Sequence, residues 1–350
     1  MHKFLQEILE QPDVIENLLN FYTSPAGESL LKKVKKIISK NKIEQIIFTG
    51  MGSSFFISHA ASGLFNNFRM HSFVINASEL LHYNLNLFER ETLLICISQS
   101  GESFEIKEIL KEIPSKVHCI GIVNEEQSTL SGKADVALIC KAGREDMTST
   151  KTFTATSLVS FILGWYLYGI WNKEKVRMVR QLAGNLKTTL SDYSPWVEEM
   201  ISFFGDLNTL QIIARGPAFS SASQSALMFK EALHIPATGI LGGEFRHGPM
   251  EMVSEGFKAI LFAPIGKTSQ QSIKMAEDIA AFGGKGLLIT NKKLKARVNN
   301  LMQIFIDEPD EYLFSVHGIV PVQLFIDSYA KSKGFEAGSF SRGAKVTEIE

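Results

Sequence analysis

The stretch Leu94-Ile-Cys-Ile-Ser-Gln-Ser-Gly-Glu-Ser103 runs an apolar segment straight into a hydroxyl-rich turn with one glycine. Leu93 to Ile97 suit a parallel strand covered on both faces. Beyond Gly101, the residues Phe104, Ile106, Ile109 and Leu110 recur near helical spacing. A strand, a turn and a helix in that order place Ser98, Gln99, Ser100 and Ser103 where backbone N–H groups and the positive end of a helix dipole point outward together. Such a turn suits a phosphate, although for this stretch alone an ordinary N-cap is an equal reading.

A second element of the same kind shifts the balance toward a phosphate. Gln45-Ile-Ile-Phe-Thr-Gly-Met-Gly-Ser-Ser54 is another strand, ending in Gly50, Gly52, Ser53 and Ser54. Two hydroxyl-bearing loops at the carboxyl ends of strands in one sheet can converge on a single ligand. Neither loop matches a P-loop, and the Gly-x-Gly lacks the third glycine of a dinucleotide fingerprint, which disfavours a nucleotide.

An internal repeat organises the chain. Gln45 to Phe65 and Thr209 to Phe229 show the same succession of strand, glycine turn and small-residue helix. Further strands follow at similar distances, Leu93 to Ile97 and His118 to Val123 in one half, Lys258 to Ala263 and Gly286 to Thr290 in the other. This alternation predicts an α/β protein with a right-handed parallel sheet, sandwiched by helices, in each half. Leu182 to Trp196 reads as a helical link. The halves diverge where Ala218 takes the place of Ser54 and where Ala263 leads into Pro264-Ile-Gly-Lys-Thr-Ser269. One anion site per chain is therefore expected.

Composition limits the partners. With 36 basic and 37 acidic residues among 350, the net charge of −1 offers no global field for nucleic acid or an anionic membrane. A small-molecule ligand is expected. Cys96, Cys119 and Cys140 lie in or beside apolar runs without metal spacing, which reads as reduced core thiols in a cytoplasmic protein with no metal or cofactor. Thr156 to Trp171, the longest apolar run, reads as a buried helix and not a membrane span.

The second half carries candidate chemistry. Its helix Ser220 to Leu233 bears Lys230-Glu231, followed by the loop Gly242-Gly-Glu-Phe-Arg-His-Gly-Pro249. Turn chemistry explains the glycines of that loop but not the imidazole of His247. On its own, Glu231 reads first as a solvated carboxylate paired with Lys230 or Lys274. Glu244 and Arg246 are expected to form a salt bridge. The hydroxyls of Ala142-Gly-Arg-Glu-Asp-Met-Thr-Ser-Thr-Lys-Thr152 either cap the next helix or touch a polyhydroxylated ligand.

Together these segments, with Glu7-Ile-Leu-Glu-Gln-Pro12 at the start and Ala344-Lys345 near the end, resemble the SIS (sugar isomerase) family. The resemblance is strongest to the isomerase domain of glutamine:fructose-6-phosphate amidotransferase and to stand-alone SIS-type glucosamine-6-phosphate deaminases. It implies two flavodoxin-like SIS subdomains, at 26–181 and 182–335, between a helical segment 1–25 and an active-site tail 336–350. It also implies that Ser54, Ser98, Gln99, Ser100 and Ser103 hold a phosphate, and that Ser149 and the backbones of Met147 and Ala344 contact the sugar. Glu231 would move a proton between C1 and C2. His247 would help open the ring from a neighbouring subunit, making a homodimer with shared sites, and Lys345 would bind near C1.

The implied reaction converts glucosamine-6-phosphate to fructose-6-phosphate and ammonia. Deglycation of a fructosamine-6-phosphate, plain aldose–ketose isomerisation and a non-catalytic sugar-phosphate regulator remain open. There are departures: Gln224 and Met228 replace a glutamate and a lysine of the amidotransferase, and Phe340-Ser-Arg-Gly343 replaces the segment before its terminal Ala-Lys. The chain opens His2-Lys3, and the amidotransferase's glutaminase domain is expected to be absent.

Overall fold

The computed structural model describes residues 2–294 and 296–338. The chain runs through α1 (Lys3–Leu9), α2 (Gln11–Tyr22), α3 (Pro25–Lys40), β1 (Gln45–Gly50), α4 (Ser53–Asn67), β2 (Ser72–Asn76), α5 (Ala77–Tyr83), β3 (Thr92–Ile97), α6 (Phe104–Glu112), β4 (His118–Val123), α7 (Thr129–Lys133), β5 (Val136–Ile139) and α8 (Lys151–Tyr168). It continues with α9 (Lys173–Ser191), α10 (Ser194–Phe204), β6 (Leu210–Ala214), α11 (Ala218–Leu233), β7 (Ala237–Leu241), α12 (Gly242–Arg246), β8 (Lys258–Phe262), α13 (Ser269–Ala281), β9 (Lys285–Thr290), β10 (Leu301–Phe305), α14 (Glu311–His317) and α15 (Val320–Ser332).

Two compact units result. Among the described residues, one holds Glu10–Ala183, and the other combines the segment up to Leu9 with residues 184–338. The first 25 residues are thus divided, because α1 packs on α15 while α2 packs on α8. Each unit has a five-stranded, all-parallel sheet, ordered β2-β1-β3-β4-β5 in the first and β10-β9-β8-β6-β7 in the second. In both, the strand order reverses beside the first strand, which creates a switch-point crevice at the carboxyl ends of β1 and β3, and of β6 and β8.

The strands β1 and β3 are buried along their whole length, which explains their near-continuous apolar sequence. Helix α8 is buried from Lys151 to Trp165 and lacks a polar stripe because it is covered all round. Gly164 lets it approach α4: a Cβ there would come within 3.0 Å of Leu64 and Phe65 side-chain carbons. No helix among the described residues is long and apolar enough to cross a membrane. All three cysteines are free and buried, and burial pushes the Cys140 thiol up to about 12, which keeps it from acting as a nucleophile at neutral pH.

One buried group gives the second unit a pH dependence. His317, at the end of α14, is 1% exposed; its Nε2 lies 2.8 Å from Thr189 Oγ1, and its Nδ1 has no partner among the described residues. Burial lowers its pKa to about 4. The neutral ring is favoured in the fold, so this stability is complete above the unfolded pKa of about 6.5 and is lost as pH falls through 4. Acidification across that window is expected to cost roughly 3 kcal/mol. Urea midpoints at pH 7.5 and pH 4 for the protein and a His317→Gln variant check this, since equal pH dependence in the two would clear His317 of the effect.

Candidate functional site

The first unit's crevice is built by backbone as much as by side chains. At the end of β1, a Cβ on Gly50 would sit 2.7 Å from Ile97 O and 2.8 Å from Ser54 Cβ, so only glycine lets the β1 turn pass this close to β3 and α4. Gly52 follows with φ +51 and occupies the N-cap of α4, which therefore begins with no side-chain cap. Ser54 lies in that first turn, half-buried, with its N–H donating to Met51 O at 3.0 Å.

The β3 turn is pinned from behind and open in front. The Ser98 N–H donates to Ile122 O at 3.1 Å, extending the β4 pairing, while Gln99 O accepts from Asn124 N at 3.0 Å. Gly101, with φ +67, has its carbonyl held by the Leu130 N–H at 3.1 Å. The Glu102 carboxylate accepts from both the N–H and the hydroxyl of Thr129. With the backbone so occupied, the hydroxyls cluster: Ser98 Oγ accepts from Gly101 N at 3.1 Å and lies 3.1 Å from Ser103 Oγ, and Ser100 Oγ accepts from Glu102 N at 3.2 Å. Ser103 is the N-cap of α6 by position, yet its side chain makes no capping bond. Two helix starts without a side-chain cap, α4 and α6, thus flank the switch point with the positive ends of their dipoles.

A cavity of about 610 Å³ adjoins this turn, lined by Gln99, Ser100, Asn124, Glu125, Lys141 and Glu145 among others. Two of these, Asn124 and Glu145, were not singled out in the sequence. The Asn124 carboxamide accepts from Ala142 N and donates to Gly143 O, both at 2.9 Å, which moors the following loop. Glu145 is buried and accepts from the backbone N–H groups of Thr150 and Thr152 at 2.9 and 3.1 Å. The start of α8 is therefore capped by Glu145, and the loop's hydroxyls do not make that cap. Ser149 Oγ lies 2.8 Å from Thr152 Oγ1, and Met147 is half-buried beside it in the chain.

In the second unit, α11 carries Glu231 in its last turn, half-buried, with Lys230 exposed beside it. The helix lies tight against β7, since a Cβ on Gly239 would meet Ser223 Cα at 2.7 Å. Gln224 and Met228 are both fully buried in that helix. His247 is exposed where α12 ends, held by its N–H to Glu244 O at 3.1 Å and anchored through buried Phe245. The expected Glu244–Arg246 salt bridge does not form. Residues two apart on a helical turn face different ways, and Arg246 Nη1 instead reaches Asp278 Oδ2 at 2.8 Å. Lys274 also bonds Asp278, at 2.9 Å. Ala344 and Lys345 lie outside the described residues. No metal-binding cluster of His, Cys, Asp or Glu occurs among the described residues.

A family model described as "SIS domain" matches residues 37–163 and again 205–326. The chain belongs to the SIS-domain family. Each SIS copy encloses one of the two five-stranded sheets. A glutamine–fructose-6-phosphate aminotransferase of Pyrococcus horikoshii is 30% identical over 359 residues, covering 100% of this chain and 58% of that protein. The chain thus spans less than two thirds of the length of the curated relatives it matches. Among solved structures, the C-terminal domain of glucosamine-fructose-6-phosphate aminotransferase from Francisella tularensis aligns with a TM-score of 0.83 at 24% identity, covering 97% of this chain and 98% of that one. A glucosamine-6-phosphate deaminase from Thermotoga maritima aligns with a TM-score of 0.70 at 21% identity, covering 99% of each chain. These likenesses show a shared fold. The two SIS copies differ in sequence, for only the first has the serine turn after its third strand.

Proposed function

We propose that this protein is a phosphosugar isomerase acting on a phosphorylated amino sugar, converting glucosamine-6-phosphate to fructose-6-phosphate and ammonia. The observation that carries this reading is the β3 turn, where the Ser98 and Ser103 hydroxyls lie 3.1 Å apart at an uncapped helix start and Gln99 and Ser100 line an open cavity. A phosphate dianion matches that donor-rich geometry. Held there by Ser54, Ser98, Gln99, Ser100 and Ser103, it supplies binding energy that orients the sugar without taking part in the bond changes.

Chemistry then falls to a carboxylate. In the open-chain amino aldose, Glu231 takes the proton from C2, and protonation at C1 gives a ketimine at C2 that water hydrolyses with loss of ammonia. Glu231 is suited to this because it is half-buried and fixed to the last turn of a packed helix. His247 helps open the ring, acting from a second copy of the chain, while Ser149 and the Met147 backbone contact the sugar. Ala344 and Lys345 complete the set by the family resemblance. The name of the Thermotoga maritima structure supports deamination among the SIS chemistries.

An ammonia and product assay across phosphorylated amino sugars, fructosamines and simple hexose phosphates tests the substrate. Glucosamine-6-phosphate is expected to release ammonia and fructose-6-phosphate; isomerisation of an unaminated sugar alone would remove the deaminase reading. The cradle is tested by Ser98→Ala combined with Ser100→Ala. Each lost charge-assisted bond is worth roughly 1.5 to 3 kcal/mol, so binding should weaken by at least about 100-fold. Unchanged affinity in calorimetry would place the phosphate elsewhere.

A further inference from the structure

The second sheet repeats the strand order of the first, so β6 and β8 flank a switch-point crevice of their own. Gly216 after β6 has φ +58, close to the +51 of Gly52 after β1. The helices that follow, α11 and α13, also start without a side-chain cap. The electrostatic setting that favours an anion is therefore present twice. The hydroxyls are not, because Ala218 and the segment Pro264 to Thr268 replace them.

Something else stands in this crevice. A Cβ built on Gly266 would lie 2.8 Å from Glu311 Oε1, and one on Gly216 would lie 3.4 Å from the same oxygen. The carboxylate thus sits against both turns. It is not there to cap its own helix. Asp310 does that, accepting from Tyr312 N at 3.0 Å and Leu313 N at 3.1 Å. Burial pushes the Glu311 carboxyl above its usual range, and the nearby Lys267 charge pulls it back.

We infer that Glu311 is a resident anion that bars phosphate from the second crevice, so that each chain takes its phosphorylated ligand only at the Ser98–Ser103 turn. This rests on the reading of that turn as the phosphate site. A negative charge fixed in the crevice repels an incoming phosphate and fills part of its volume, while Lys267 and the helix starts make the fixed charge tolerable. Glu311 is in this sense a specificity-determining residue: it leaves a duplicated fold with a single binding polarity.

The test uses the full chain and inorganic phosphate as the probe. In a Ser98→Ala/Ser100→Ala background, adding Glu311→Ala is expected to strengthen phosphate binding by roughly ten-fold, and adding Lys267→Ala to that variant should reverse the gain. Asp310 keeps α14 capped in all of them, and Glu311→Ser, well tolerated in a first helical turn, serves if the alanine variant does not fold. A folded Glu311 variant that binds phosphate no better than its background overturns the inference. Failure of the serine-turn reading shows separately, as equal phosphate affinity of the unaltered protein and the Ser98→Ala/Ser100→Ala background.

Discussion

Glu231→Gln is expected to lower ammonia release from glucosamine-6-phosphate by roughly 100- to 10,000-fold, the span that loss of a positioned acid–base group produces. Glutamine has nearly the same shape as glutamate but cannot accept the proton, so the packing of α11 should be preserved. Phosphosugar affinity should stay within a few-fold, because the residues proposed to hold the phosphate belong to the first unit's β1 and β3 turns. Steady-state assays of ammonia and ketose phosphate, set beside a calorimetric titration, separate the two effects. Full turnover in the variant would remove Glu231 as the base. Loss of binding together with turnover would show that the carboxylate holds the sugar and does not move its proton.

Gly101→Ala is expected to disable the cradle while leaving the second unit intact. The position has φ +67, and an added Cβ would come 2.2 Å from Ser128 Oγ, 2.6 Å from Ser128 Cβ and 3.0 Å from Val123 Cγ2. Ser128 cannot simply swing away, since its hydroxyl donates to Glu125 O at 2.8 Å and accepts from Ser131 N at 3.3 Å. A left-handed backbone strain and an overpacked contact together cost about 3 kcal/mol. The chain can relieve both only by shifting the turn, which would separate Ser98 from Ser103 and cost the phosphate its donors. Phosphate binding and urea unfolding measured on one sample check this, and a variant with wild-type values in both would show that the turn is not rigid.

Legibility followed covalent distance and burial. The central strands β1, β3, β4, β8 and β9 could be read from the chain because burial on both faces makes them unbroken apolar runs. Sheet-edge strands could not. β2 and β7 are only part-buried and mix polar with apolar residues, β5 has four residues, and β10 ends on an exposed Phe305. The serine turn was readable for a related reason: its hydroxyls, glycine and helix start are contiguous.

Groups that work through distant partners were missed. Asn124 accepts from Ala142, 18 positions on. Arg246 pairs with Asp278, 32 positions away, where the local pattern had suggested Glu244. Glu145 was close enough to its targets to be found, but an acidic residue five positions ahead of the backbone it caps follows no familiar N-terminal spacing.

The first helix has a bearing on how this duplicated fold can be taken apart. Phe4, Leu5 and Ile8 are buried in a unit whose remaining chain begins only at Gly184, and the peptide between Leu9 and Glu10 passes directly into the other unit. Scission at residue 183 therefore does not release two self-sufficient lobes. The later fragment would present a greasy scar on α15, and the earlier one would trail a helix stripped of its seat.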